Sequence, residues 1–201
     1  RSGRNTWPFL FTLINIVMAT SILDPLRDRQ GGIKKSADWY NRNVRNLSDR
    51  ITARRLMNSG KLIARPSAGR LNMFFYEPKT KARLPYYDVF PLVLPLEPIK
   101  GGFMGLNFHY LPYLLRFRLL ERLQRFADGG FKSTTKITAS YDSVKGINLV
   151  RPTIKKYLFG YVRSQFLRID FDEAALAAYL PVQQFRKAGT GKVWADSRGM
   201  I

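Results

Sequence analysis

Few side chains in this sequence can do covalent or acid–base chemistry. The chain has a single histidine, His109, and no cysteine, which removes disulfides, thiolate nucleophiles and cysteine-ligated zinc. His109 lies in the apolar run Phe103–Tyr110, where a lone imidazole is expected as a structural hydrogen-bonding group rather than a base. No serine stands in a glycine-flanked nucleophile turn. Gly189-Thr190-Gly191-Lys192 has the ending of a phosphate-binding loop. However, Arg186 stands where that loop needs glycine and Val193 where it needs Ser or Thr. Glu77-Pro78-Lys79 has the Glu-x-Lys spacing of many metal-dependent nucleases, whose carboxylates converge on divalent ions. Its nearby partner would be Asp88, which follows the motif instead of preceding it, and Pro78 puts Glu77 and Lys79 in a turn. Asp170, Asp172 and Glu173 are a second acidic group, which the dipole of a helix N-terminus accounts for. The chain is therefore expected to be no enzyme and to need no metal or other cofactor, with a nuclease kept as a rival.

The abundant chemistry is cationic. Across 201 residues, 34 Lys and Arg stand against 14 Asp and Glu, a net charge of +20. Self-repulsion on that scale disfavours a compact chain. A phosphate backbone offsets it best, with an anionic membrane or an acidic protein as the alternative. Residues 34–70 alone hold ten cations against two acids. The candidate nucleic-acid contacts are Lys34, Lys35, Arg42, Arg45, Arg50, Arg54 and Arg55 in this stretch, and Arg118, Arg122 and Arg125 further on. Arginine predominates, and its fork suits bidentate phosphate contacts. Phe74-Phe75-Tyr76 and Tyr86-Tyr87 could stack unpaired bases, but such residues are more often core. No zinc-finger, homeodomain or RNA-recognition signature is present, so base-specific readout is not expected.

These side chains need elements to hold them. Ile33, Ala37, Tyr40, Val44, Leu47 and Ile51 recur at spacings of four, three, four, three and four, which predicts one long basic helix ending near Asn58-Ser59-Gly60. From Arg70 the pattern changes to aromatic runs broken by Pro and Gly, so residues 70–110 read as a small antiparallel sheet or partial barrel. Pro112 opens a helix through Ala127, with Leu115, Leu119, Leu123 and Phe126 inward and Arg118, Arg122 and Arg125 on another stripe. Pro152 is expected to open a helix through Ile169. Asp172 is expected to cap a short helix, Glu173–Tyr179, closed by Pro181. The fold class is thus α+β with C-terminal helices.

An apolar content of 45% supports a folded core. The expected organisation is an extension or arm over 1–32, a single α+β domain over 33–185 and a basic tail over 186–201. Trp7–Met18 is too short to span a bilayer as a helix, and no transmembrane segment is expected. It loosely mimics a secretory signal, but Met18-Ala19-Thr20-Ser21 is the preferred natural start, so residues 1–17 carry none of the functional argument.

Three stretches go beyond composition: Phe74-Phe75-Tyr76-Glu77-Pro78-Lys79-Thr80-Lys81, Leu84-Pro85-Tyr86-Tyr87-Asp88-Val89-Phe90-Pro91-Leu92-Val93, and Gly102-Phe103-Met104-Gly105-Leu106-Asn107-Phe108-His109-Tyr110-Leu111-Pro112. Together they resemble a segment of small virion proteins from contractile-tailed phages of the T-even type. Arg151-Pro152-Thr153-Ile154-Lys155-Lys156-Tyr157-Leu158 and the ending Val193-Trp194-Ala195-Asp196-Ser197 fit the same group. The resemblance spans residues 34–198 and brings no catalytic residues. It implies a virion protein of the head, neck or baseplate, present in the host cytoplasm during assembly. Among such proteins the DNA end protectors suit +20 best. That likeness implies a cap on the packaged genome's terminus, holding terminal phosphates and leaving a nuclease no room. The partner would be the DNA phosphate backbone, with no small-molecule substrate. Phage head, neck or baseplate proteins remain the alternative partners, for a structural subunit that binds its neighbours.

Overall fold

The structure is a computed structural model that describes residues 22–46 and 51–201. In chain order it contains α1 (Asp24–Gln30), α2 (Ala37–Arg45), α3 (Ala53–Ser59), β1 (Lys61–Ile63), β2 (Leu71–Met73), β3 (Tyr87–Asp88), β4 (Leu92–Ile99), β5 (Gly102–Asn107) and α4 (Tyr113–Leu123). These are followed by α5 (Tyr141–Val144), β6 (Ile154–Leu158), β7 (Phe166–Ile169), α6 (Ala174–Tyr179), β8 (Phe185–Arg186) and α7 (Thr190–Met200). The class is α+β. Six strands form one antiparallel sheet in the order β1-β7-β2-β4-β5-β6, and β3 pairs with β8 in a separate ribbon.

Two expectations about elements are corrected. The long basic helix is not found: α2 and α3 are separate, each with its own cap. Ser36 Oγ accepts from Trp39 N at 3.3 Å, and Thr52 Oγ1 accepts from Arg55 N at 3.2 Å. Thr52 is extended (φ −124°, ψ 156°), so no helix runs through it. Ile33 precedes the first cap and is exposed, while Tyr40, Val44 and Ile51 are buried; Leu47 and Arg50 lie outside the described residues. The second correction concerns 152–169, which forms β6 and β7 rather than a helix. Its Ile, Tyr and Phe content suits a pleated surface, Gly160 interrupts it, and β5 offers a backbone partner to β6 and β2 one to β7. The sheet expected over 70–110 is present as β2, β4 and β5, widened by β1, β6 and β7.

Strand periodicity gives the sheet two different faces. Leu71, Met73, Leu92, Leu94, Leu106, Leu167 and Ile169 point into the larger core, which they share with the helices. Phe74, Val93, Phe103, Tyr157 and Phe166 form a second, aromatic cluster on the opposite face. Phe74 is fully buried there, with ring centroids of Phe103, Tyr157 and Phe166 at 6.1, 5.3 and 4.8 Å. Burying such a side chain contributes about 1.5–3 kcal/mol. Pro95 and Pro98 lie on β4 beyond Val93, where its pairing with β2 ends, and a bulge lies between Pro95 and Glu97. A proline is tolerated there because no ladder hydrogen bond is lost on that side. Asp170, directly after β7, binds Lys61 at 2.5 Å, Arg70 at 2.6 Å and Arg168 at 3.1 Å, tying β1, β2 and β7 together at one end.

Leu23 and Leu26, in the segment expected as an arm, are buried in the larger core. The segment after Phe185, expected as a tail, forms α7, whose Val193 is buried. The least expected core residue is Arg116, which is 0% exposed. It shares the buried stripe of α4 with Leu120 and Leu123. Its guanidinium donates to the carbonyls of Leu111 at 2.7 Å, Ala178 at 3.3 Å and Leu180 at 3.4 Å, and to Gln183 Oε1 at 3.1 Å. Burial lowers its pKa to about 10, so it stays cationic at neutral pH. Arg116→Ala is expected to cost about 3–5 kcal/mol in urea unfolding, by stranding these carbonyls and opening a cavity. Arg116→Met, which refills the space, should recover part of that loss.

Candidate nucleic-acid interface

Helix α6 has the sequence Ala-Ala-Leu-Ala-Ala-Tyr, and all six residues are buried. Its small side chains let α2 and α4 pack against it closely. Tyr40 of α2 stacks on Tyr179 at 6.2 Å and meets Phe117 of α4 at 5.8 Å. Lys34, just before α2, reaches across to α4. Its Nζ donates to Glu121 Oε1 and Gln124 Oε1, both at 3.1 Å, and lies 5.4 Å from the Phe117 ring centroid. The apolar sides of the helices face inward, so their arginines face water. Arg42 and Arg45 on α2, Arg54 and Arg55 on α3, Arg118 and Arg122 on α4, and Arg125 just after it are all exposed. Arg118, Arg122 and Arg125 follow one stripe, opposite Leu119, Leu120 and Leu123. The Arg125 guanidinium rests over the Phe126 ring at 4.7 Å.

Lys34 and Lys35 are half-buried. Lys34 is held by Glu121, and the backbone N–H of Lys35 donates to the Tyr40 hydroxyl at 3.2 Å. These two lysines support the packing of α2. Arg50 lies outside the described residues. The surplus charge cannot be absorbed internally, because 14 carboxylates face 34 Lys and Arg. Several carboxylates are also concentrated in structural roles, as Asp170 is with its three cations.

Glu77 and Asp88, the pair weighed for a nuclease, do not converge. Glu77 pairs with Lys81 and lies 3.6 Å from Arg163, while Asp88 faces His109. Among the described residues no three His, Asp or Glu side chains are grouped to hold a metal ion. Asp88 and His109 form a sealed pair, with Oδ2 2.8 Å from His109 Nδ1 and side-chain exposures of 1% and 0%. Asp88 Oδ1 accepts from the backbone N–H of Phe90 and Gln184, at 3.1 and 3.2 Å, and Asn107 Nδ2 donates to Oδ2 at 3.2 Å. Burial alone would raise the Asp88 carboxyl, but His109 and the donors of Gln184 and Asn107 outweigh it and hold the pKa below the usual carboxylate value. Burial lowers the His109 imidazole, against the opposing pull of Asp88. The ring is therefore neutral at pH 7 and its Nδ1–H donates to the carboxylate. Trp194 Nε1 of α7 donates to the His109 carbonyl at 2.9 Å.

Fold and surface together define a basic α+β protein with an arginine-lined helical face and a core braced by buried polar groups. The family model described as "Phage T4 terminal DNA protecting protein" matches residues 14–197, and the chain belongs to that family. It is thus a bacteriophage protein of DNA end protection. No curated protein sequence and no solved structure matches it significantly. No helix among the described residues is long and apolar enough to cross a membrane.

The sealed pair predicts an acid-sensitive fold. The folded pKa of His109 lies below its ordinary 6.5, so on acidification the unfolded chain binds the proton first. The stability this group contributes is present above 6.5 and is lost as pH falls toward the folded value. Asp88 adds a loss of the same sign below 3.8. Urea titrations should show stability falling from pH 7 to pH 5 (roughly the range in which an ordinary imidazole titrates), and His109→Gln should flatten that slope.

Proposed function

We propose that this protein binds the ends of linear duplex DNA through the arginine face of α2 and α4, shields them from exonucleases, and does so without catalysis. The observation that carries the reading is the outward stripe Arg118, Arg122 and Arg125, in a chain of net charge +20 from a terminal DNA protecting family. Arginine forks on a rigid helix neutralise phosphates and release counterions, a term that ignores sequence. A protein seated over the last base pairs denies a nuclease the space it needs. On this reading the protein rides with the packaged genome in the virion and meets it in the host cell.

The test is exonuclease protection of linear duplex as a function of salt, with closed circular DNA as competitor. Replacing Arg118, Arg122 and Arg125 together by Gln should weaken binding and reduce the slope of log Kobs against log salt by about 0.9 for each phosphate that is no longer neutralised. An unchanged slope would remove this face as the contact surface. Closed circular DNA competing as well as linear DNA would overturn end capping.

A further inference from the structure

The aromatic face of the sheet opens into a cleft of about 550 Å³. That volume is within the roughly 300–1,000 Å³ of small-molecule sites. Tyr86, Tyr87, Tyr110 and Tyr157 line it, and Lys155 stands among them. The sheet register places Tyr157 and Lys155 on the same face. On this face Phe103 pairs with Tyr157 and Gly105 with Lys155. Gly105 is confined to glycine by close packing, since a Cβ there would lie 2.6 Å from Val93 Cγ1 and 2.8 Å from the Leu94 carbonyl oxygen. The ribbon β3–β8 and α7 contribute further wall, with Tyr87 from β3 and Ser197 and Met200 from α7.

Lys155 is the unusual member. Its ammonium donates to the carbonyls of Pro152 at 2.7 Å and Ile154 at 3.1 Å and sits 4.0 Å from the Tyr110 ring centroid. Among the described residues no carboxylate pairs with it. Desolvation brings its pKa down to about 8, so it is still largely cationic at neutral pH. Among the described residues the one carboxylate lining the cleft, Asp88, has both oxygens engaged by Phe90, Gln184, Asn107 and His109. A desolvated cation without a counter-charge is a liability to the fold, and an anionic ligand relieves it. Lys79 and Lys156 at the rim strengthen the preference for an anion.

We infer that this cleft receives the terminal nucleotide of a DNA end, its base against the tyrosines and its phosphate on Lys155. A ligand that satisfies both features must carry a flat π-system and a negative group on one small unit, which describes a nucleotide. Aromatic side chains accept any base face, so the cleft needs no sequence preference. Interior nucleotides of a duplex are paired and stacked, and drawing one out is costly, whereas a terminal one is released more cheaply. The cleft thereby supplies what the arginine face lacks, a distinction between an end and continuous duplex. This rests on the DNA-end reading above, and the experiment separates the two.

Full-length protein is titrated with deoxyadenosine 5′-monophosphate, with deoxyadenosine and with inorganic phosphate, followed by NMR. It is then titrated with a hairpin carrying 2-aminopurine at its open end and with a closed dumbbell of the same sequence. The monophosphate should bind saturably and more tightly than either fragment, and the open hairpin more tightly than the dumbbell, with a change in 2-aminopurine emission. Lys155→Met should weaken monophosphate binding about tenfold, the scale of one charge-assisted hydrogen bond. It should also bring the open hairpin toward the dumbbell and leave the melting temperature equal or higher, because an unpaired charge is removed. Tyr87→Leu should reduce the emission change. Absence of monophosphate binding, or its persistence unchanged in both variants, overturns the cleft while end protection stands on its own assay. Saturable monophosphate binding with equal affinity for hairpin and dumbbell overturns the DNA-end reading and the terminal-nucleotide assignment with it. N-acetylphenylalanine outcompeting the monophosphate overturns the nucleotide in favour of a peptide carboxylate.

Discussion

Asp88 and Arg116 carry opposite charges into the same core, with His109 between them. The imidazole of His109 faces Asp88 at 2.8 Å, and its carbonyl lies 3.5 Å from Arg116 Nη2. Taking either ion out of water costs several kcal/mol even after the protein relaxes, and the core meets that cost with backbone dipoles. Asp88 draws on the N–H groups of Phe90 and Gln184, and Arg116 on the carbonyls of Leu111, Ala178 and Leu180. Those groups belong to the approach to β4, the approach to β8, the approach to α4 and the end of α6. None of these segments can shift without stranding a charge. The constraint fixes the helix layer against the sheet in a way that apolar packing, which is non-directional, does not.

Both the arginine face and the aromatic cleft are anchored to this network. Arg116 is two residues from Arg118 on α4, so the helix that presents the arginine stripe is pinned by its buried cation. Asp88 ends β3 and lines the cleft on the opposite side of the sheet. Trp194, bound to the His109 carbonyl, holds α7 where it completes the cleft wall. The two surfaces are thus set at a fixed mutual geometry by one set of buried contacts.

The sequence revealed the chemistry of the exposed residues better than that of the buried ones. The charge excess, the scarcity of nucleophiles and the outward stripe Arg118, Arg122 and Arg125 were legible because composition and helical period report directly on which side chains face water. The antiparallel strands of 70–110 were legible because Pro, Gly and aromatic spacing mark them. The long helix was misread because the spacing of Tyr40, Val44 and Ile51 records burial, not continuity: Thr52 captures the N–H of Arg55 and starts a new helix. Residues 152–169 were misread because Ile154, Leu158, Tyr161 and Val162 recur at a helical spacing. The partnership with β5 that decides the matter is non-local. Arg116 had a signal, since it shares a stripe with Leu120 and Leu123. Lys155 had one only in retrospect, as a cation alternating with Tyr157 on a strand.

Phosphate neutralisation and end recognition make different demands on a protein, and on the proposed reading this fold separates them. Neutralisation needs many exposed cations with freedom to adjust, which short helices packed on the small residues of α6 provide. Recognition of an end needs a walled space and a charge held in one position, which the rigid aromatic face and the carbonyl-held Lys155 provide. A surface of arginines alone would spread the protein along any duplex, because phosphates repeat without end. Selectivity for a terminus must come from a group that responds to something found only there. On the reading proposed above that feature is the cleft, where a desolvated cation stands among tyrosine rings with no carboxylate partner among the described residues.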